Sequence, residues 1–261
     1  QYIAPNNWHN NFHTKGVVMN NFDLEGRVAI ITGGNGGIGL GMAEGMARAG
    51  ATIVIAGRNA NKGTKAVSTL ETLGATASFI TLDVTDEAAC HQLIDDTVST
   101  HGRLDVLVNN AGTNIRKEPE EYTVAEWRFV LDTNLTSAFV CSQAAYAAMK
   151  KLGGGKTSGG GKIINIGSMF SLFGASFSTA YAASKGGMVQ MTKAMACAWA
   201  KDNIQVNTVL PGWIDTELTR GARQDVEGLH ERIEARTPAG RWGRPDEFAG
   251  IAVFLAGSGS D

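Results

Sequence analysis

Arg27-Val28-Ala29-Ile30-Ile31-Thr32-Gly33-Gly34-Asn35-Gly36-Gly37-Ile38-Gly39 is the stretch that decides the fold. It opens on a short apolar, β-rich run. A glycine cluster follows, and then Ile38, Met42, Met46 and Ala49 recur at helical spacing, so the stretch predicts strand, tight turn, helix. The glycines have a chemical use there. Without Cβ atoms the backbone turns tightly, approaches a pyrophosphate closely, and aims the free amides of the helix start at its charge. An ordinary glycine-rich turn with no ligand is the plainer alternative; the strand before and the helix after favour the dinucleotide reading.

Outward from this unit the same alternation recurs. Strand patterns fall at 52–55, 78–82, 104–108, 162–167 and 204–209, and helical patterns at 62–73, 87–99, 125–149, 180–201 and 246–256. Strands apolar on both faces need helices above and below. The expected architecture is therefore α/β: a doubly wound parallel sheet of the Rossmann type in three layers, α/β/α, within a single domain. Residues 1–18 are polar and mixed and are expected to be a leader outside a domain spanning 19–261. The low-complexity run Gly-Gly-Gly-Lys-Thr-Ser-Gly-Gly-Gly at 153–161 reads as a loop with no assigned function.

Composition excludes several classes of function. A chain of 261 residues buries one sizeable core. Its formal net charge of -2 comes from interspersed acidic and basic residues and leaves no footprint for nucleic acid or an anionic membrane surface. No window approaches the roughly 18 consecutive apolar residues of a spanning helix. Cys90, Cys141 and Cys197 have neither the even count of a disulfide framework nor the spacing of a zinc site, so the expectations are no metal and a reducing, cytoplasmic location.

In open α/β sheets ligands bind beyond the carboxyl ends of the strands, which nominates a set of cofactor residues. From the first turn come Gly33, Asn35, Gly37, Ile38 and Gly39; after the third strand come Asp83, suited to bond an adenine amine, and Val84; after the fourth come Asn110, Ala111 and Gly112. Taken singly, Asp83 reads equally as a helix N-cap and Asn109-Asn110 as a turn.

The reacting groups are nominated by spacing. Tyr181-Ala182-Ala183-Ser184-Lys185 puts a tyrosine and a lysine on one face of a helix. A free phenol, with a pKa of about 10, is a poor base at neutral pH. A neighbouring ammonium is expected to lower it, which would make Tyr181 an acid-base group. Ser168, just past the strand 162–167, is placed to bond the same substrate oxygen. Each has an alternative when read alone: Tyr181 as core, Ser168 as a strand-end cap, Asn134 as a satisfied helix polar residue, Lys185 as surface.

Taken together and in order, the loop Thr32 to Gly39, the Asn109-Asn110-Ala111-Gly112 segment, Asn134, Ser168, the Tyr181/Lys185 pair and Pro211-Gly212 resemble the short-chain dehydrogenase/reductase family. The resemblance runs from about Phe22 to the end of the chain. It implies an NAD(P)-dependent oxidoreductase acting on a secondary alcohol or ketone, with Asn134, Ser168, Tyr181 and Lys185 as the catalytic set. Tyr181 and Lys185 also touch the cofactor, Lys185 through its ribose, and Asn134 holds a water on a proton path. The resemblance extends cofactor contacts to Pro211, Gly212, Ile214 and Thr216. It further implies a homo-oligomer, tetramer or dimer, and a last strand that this sequence does not reach.

Cofactor preference is read at Ala56-Gly57-Arg58-Asn59, where relatives that prefer NAD tend to carry an acid. None stands here, and Arg58 suits a 2′-phosphate, so NADP is expected, with NAD as the alternative. Asn114-Ile115-Arg116, the Phe22-Asp23-Leu24 opening and Pro238 to Gly243 resemble the sugar and sugar-acid branch, which includes gluconate 5-dehydrogenases and 2-dehydro-3-deoxygluconate 5-dehydrogenases. The fork of Arg116 suits a small-molecule carboxylate. Met169, Phe170, Phe177 and Trp213 read either as pocket walls or as core. Two other functions compete: a reductase of 3-ketoacyl groups on a carrier protein, and a non-catalytic dinucleotide-binding regulator.

Overall fold

Successive residues of the central strands point to opposite faces, and both faces are apolar, so each must be covered. The computed structural model describes residues 21–152 and 160–261. The expected leader, 1–18, and positions 153–159 of the glycine-rich run lie outside the described residues. Six strands, β1 (Val28–Thr32), β2 (Thr52–Gly57), β3 (Ala77–Thr81), β4 (Val106–Asn109), β5 (Gly161–Ile166) and β6 (Ile204–Val209), form one parallel sheet in the order β3-β2-β1-β4-β5-β6. This is the doubly wound arrangement expected from the sequence, with its reversal of strand order between β1 and β4.

Around the sheet lie α1 (Gly37–Arg48), α2 (Ala60–Thr72), α3 (Glu87–His101), α4 (Val124–Leu131), α5 (Ser137–Leu152), α6 (Thr179–Trp199), α7 (Glu217–Asp225), α8 (Leu229–Arg236) and α9 (Ala249–Ala256). Ile31, Ile55, Val108 and Ile164 pack one face with Met42 and Met46 of α1, Leu70 of α2 and Leu255 of α9. Ile30, Val54, Leu107 and Ile163 pack the other with Leu93 and Ile94 of α3, Met149 of α5 and Met195 of α6. Each buried aliphatic side chain contributes about 1.5–3 kcal/mol relative to exposure, so the two clusters are what hold the layers together.

Local signals account for several boundaries. Asp86 caps α3, its carboxylate accepting the Ala89 amide, and Gly102 ends it in the left-handed region at φ 72°. Thr123 and Glu126 form a capping box at the start of α4.

Two helical patterns differ from expectation. The pattern 125–149 is interrupted by a π-turn, Asp132–Thr136, which turns Asn134 into the interior between α4 and α5. The pattern 246–256 begins as a 3-10 turn, Pro245–Phe248, before α9. Between 213 and 244, where a loop and a helix are expected, the structure has two helices, α7 and α8; they carry few apolar residues, and Trp242 closes the small cluster that Ala222, Leu229 and Ile233 make beneath them.

Candidate active site

At the switch point the turn after β1 and the segment after β4 are hydrogen-bonded to each other. The Thr32 hydroxyl accepts the amides of Asn110 and Ala111, both at 3.1 Å. The Asn110 side-chain amide donates to the carbonyls of Thr32 and Gly33, both at 3.0 Å. This packing demands the glycines. Gly33 sits at φ +64°, and a Cβ on Gly39 would lie 2.5 Å from Asn110 Nδ2. Asn110 is therefore chiefly a buttress of the loop.

A cleft of about 420 Å3 opens above this junction. Every nominated cofactor residue lines it except Gly39, which is buried behind the loop against Asn110. Asn134 also stands outside the lining. The site suits a dinucleotide on its own geometry. No side chain caps the start of α1 and no acid sits in its first turn, so the amides there remain free donors. A Cβ on Gly36 would meet nothing within 4 Å, which leaves an open cradle over those amides.

Farther along the cleft, Arg58 and Asn59 follow β2, and Asp83 follows β3. The helix cap expected at Asp83 is supplied by Asp86 instead. The Asp83 carboxylate accepts the Thr85 amide at 3.0 Å and hydroxyl at 2.8 Å, and these bonds, helped by the charge of Arg58, hold it below the usual carboxylate range.

At the other end stand Ser168, Tyr181 and Lys185. Ser168 leaves β5 and caps a 3-10 turn by accepting the Phe170 amide at 3.2 Å; the cap and the catalytic placement coexist, because its hydroxyl also bonds the Tyr181 phenol. Lys185 is 3% exposed and donates to the Ile166 carbonyl at 2.6 Å, with its ammonium 5.7 Å from the centre of the Tyr181 ring. Burial pushes the Lys185 pKa down to about 8.

The Tyr181 phenol differs from expectation. Burial raises its pKa above 10, and this outweighs the Ser168 bond and the positive field of Arg116, which act in the opposite direction. The ammonium of Lys185 stands 5.7 Å from the centre of the Tyr181 ring and is turned to a backbone carbonyl, not to the phenol oxygen.

Asn134 is fully buried and bound on every side by protein. Its oxygen accepts the Thr113 amide at 2.7 Å, and its nitrogen donates to the Thr113 carbonyl at 2.9 Å and the Ser184 hydroxyl at 3.0 Å. Both amide protons are thereby taken. The water expected of Asn134 is not held through those protons; the side chain ties the segment after β4 to α6.

Phe170 joins Tyr181, Phe177 and Trp213 edge-on, with ring centres 6.2, 6.5 and 5.8 Å away. Phe170 packs beside the phenol, but neither it nor Phe177 nor Trp213 is among the residues that line the cleft. Arg116 is only 13% exposed; it pairs with Asp225 at 2.9 Å and donates to the Leu218 carbonyl at 2.8 Å, which fastens the segment after β4 to α7. Sequence reading missed Lys62, Thr133, Glu217, Leu218 and Thr219, all of which line the cleft. A signal existed for α7, where Thr216 accepts the Thr219 amide as an N-cap; none existed for the meeting of α2 with α7.

The family model described as short chain dehydrogenase matches residues 27–227. The chain belongs to the short chain dehydrogenase family. Like its relatives it is an oxidoreductase. It is 40% identical to the 2-dehydro-3-deoxy-D-gluconate 5-dehydrogenase of Escherichia coli (strain K12) across 94% of both chains. It is 38% identical to the gluconate 5-dehydrogenase of Gluconobacter oxydans, across 92% of this chain and 91% of that one. Among solved structures, a gluconate 5-dehydrogenase from Burkholderia cenocepacia in complex with NADP and tartrate superposes with a TM-score of 0.85 at 38% identity, covering 93% of this chain and 92% of that one. In this short chain dehydrogenase the sheet order and the switch-point cleft are those expected from the resemblance.

Proposed function

We propose that this dehydrogenase interconverts a secondary hydroxyl and a ketone on a sugar acid, using NADP. The observation that carries the reaction is the convergence of Ser168, Tyr181 and Lys185 on one end of the cleft whose other end carries Arg58 and Asp83. The feature that favours an acidic substrate is Arg116, a guanidinium with a side chain 13% exposed on the segment that follows the cleft-lining Asn110 to Gly112. The solved relative crystallised with NADP and tartrate adds weight to both choices.

The residues lining the cleft would hold the cofactor, which when bound would supply the hydride acceptor and a positive charge. The chain supplies the rest. Ser168 donates to the substrate oxygen and orients it. Tyr181 removes the hydroxyl proton in oxidation and returns it in reduction. Lys185, held by the Ile166 carbonyl, would bond the cofactor ribose and keeps its ammonium 5.7 Å from the centre of the Tyr181 ring. Asn134 and Asn110 hold the surrounding segments so that these groups stay in register.

No helix of the described residues is long and apolar enough to cross a membrane. The free thiols Cys90, Cys141 and Cys197 support a cytoplasmic setting. Phe129 of α4 and Phe139 of α5, exposed at 42% and 45%, support a homo-oligomer, dimer or tetramer.

Initial rates at the absorbance band of reduced nicotinamide test the reading, with NADP and NAD against sugar acids, neutral sugars, simple secondary alcohols and acyl thioesters. Turnover of a sugar acid with NADP is expected. Preference for acyl thioesters would move the assignment to carrier-bound ketoacyl groups, and cofactor binding without turnover on any of them would leave a regulator.

A further inference from the structure

Two exposed charges meet across the mouth of the cleft. Lys62 stands in the first turn of α2, on the bank that carries Arg58 and Asn59. Glu217 opens α7, on the opposite bank. Their side chains form an ion pair that bridges the banks, although 155 positions separate them in the chain. A shallow second cavity at this place is lined by Arg58, Asn59, Lys62, Gly112, Glu217 and Leu218, so the pair sits in the opening and not on a remote surface. Lys62 holds the Glu217 carboxyl below its usual range.

Arg58 faces the same space and makes no ion pair among the described residues. In doubly wound sheets the residue at the end of the second strand meets the adenosine ribose at its 2′ position. Lys62 lies one helical turn beyond, and the Asn59 side chain caps that turn by accepting the Lys62 amide at 3.0 Å. A phosphate on the 2′ oxygen would thus enter between a free guanidinium and an ammonium already engaged by a carboxylate. The phosphate carries a charge of about -1.5 to -2 and three acceptor oxygens, against a single negative charge on Glu217. The pair is solvated, with 46% and 83% of its side chains exposed, and an exposed pair of that kind is held weakly.

We propose that Lys62 and Glu217 form an exchangeable clasp that selects the phosphorylated dinucleotide: the 2′-phosphate displaces Glu217 from Lys62 and is then held by Arg58 and Lys62 together. The inference rests on the NADP reading above and extends it to two residues. It makes Glu217 an internal competitor of the phosphate. A dinucleotide with a bare 2′-hydroxyl cannot make the exchange and leaves the clasp shut.

Calorimetric titration with adenosine 2′,5′-bisphosphate and with 5′-AMP tests this without turnover. The unaltered protein is expected to bind the bisphosphate more tightly. Lys62→Gln is expected to weaken the bisphosphate by roughly tenfold and to leave 5′-AMP unchanged, the second ligand serving as the control for folding. Glu217→Gln is expected to tighten the bisphosphate by about threefold or more, again with 5′-AMP unchanged. If the unaltered protein discriminates but Lys62→Gln does not alter the bisphosphate, the clasp is wrong and the NADP reading stands on Arg58. Failure of Glu217→Gln to tighten it would likewise overturn the exchange. Equal affinity of the unaltered protein for both ligands would overturn the NADP reading and the clasp together.

Discussion

At the floor of the cleft Lys185 is 3% exposed and its ammonium rests on a backbone carbonyl at 2.6 Å, whereas at the mouth Lys62 and Glu217 keep 46% and 83% of their side chains in solvent. The floor is assembled from strand ends and a helix interior, with pKa values displaced by burial and partners that belong to the backbone. The mouth is bridged by one exposed ion pair between α2 and α7. A buried, backbone-anchored group keeps its geometry whatever molecule enters, so the floor suits the reaction itself. A solvated pair exchanges partners readily, so the mouth suits the choice of molecule. Arg116 stands between the two, nearly buried yet paired to Asp225, whose side chain is 53% exposed.

The contrast breaks most visibly at Tyr181. Tyr181→Phe is expected to lower kcat by roughly a hundred- to ten-thousand-fold while leaving cofactor affinity and Tm nearly unchanged, as measured by steady-state rates and thermal unfolding. A variant turning over near the parent rate would remove the proton-transfer role from the floor.

A second effect concerns stability. Lys185 titrates at about 8 in the fold against 10.5 for an ordinary lysine, so between those values the unfolded chain binds more protons than the folded one. The stability contributed by neutral Lys185 is therefore complete above pH 10.5 and is lost as pH falls through about 8. Relative to Lys185→Met, the parent should gain on the order of 3 kcal/mol as pH rises across that window, read by denaturant unfolding at several pH values. A difference that stays flat with pH would show the ammonium to be better solvated than its surroundings indicate.

The smallest effect tests the intermediate position of Arg116. Arg116→Met is expected to raise KM for a sugar acid by roughly ten- to a hundredfold and to leave kcat/KM for a neutral sugar alcohol almost unchanged. Arg116→Lys should recover part of the loss. Equal losses on both substrates would leave Arg116 with its fastening of α7 alone and no part in reading the carboxylate.

The strand order along the chain and the parallel sheet were legible in the sequence because they depend on short-range periodicity: an apolar run at 28–32, an alternating strand at 204–209, glycines between a strand and a helix, and a tyrosine and lysine one helical turn apart. Those patterns survive folding, since each is enforced by the backbone of its own segment. Three features depended on the third dimension. The π-turn at Asp132–Thr136 has no periodic signature, because it is stabilised by what Asn134 reaches, Thr113 and Ser184, both distant in the chain. The raised Tyr181 phenol follows from the desolvation imposed by the segments around it, which spacing alone does not report. The clasp of Lys62 with Glu217 joins residues of opposite charge from two helices whose sequences carry no trace of each other. Local sequence thus determined which chemical groups the protein owns and which strand or helix presents them. Only the tertiary structure decided their neighbours, and the neighbours set the charge, the solvation and the freedom to exchange partners on which selectivity depends.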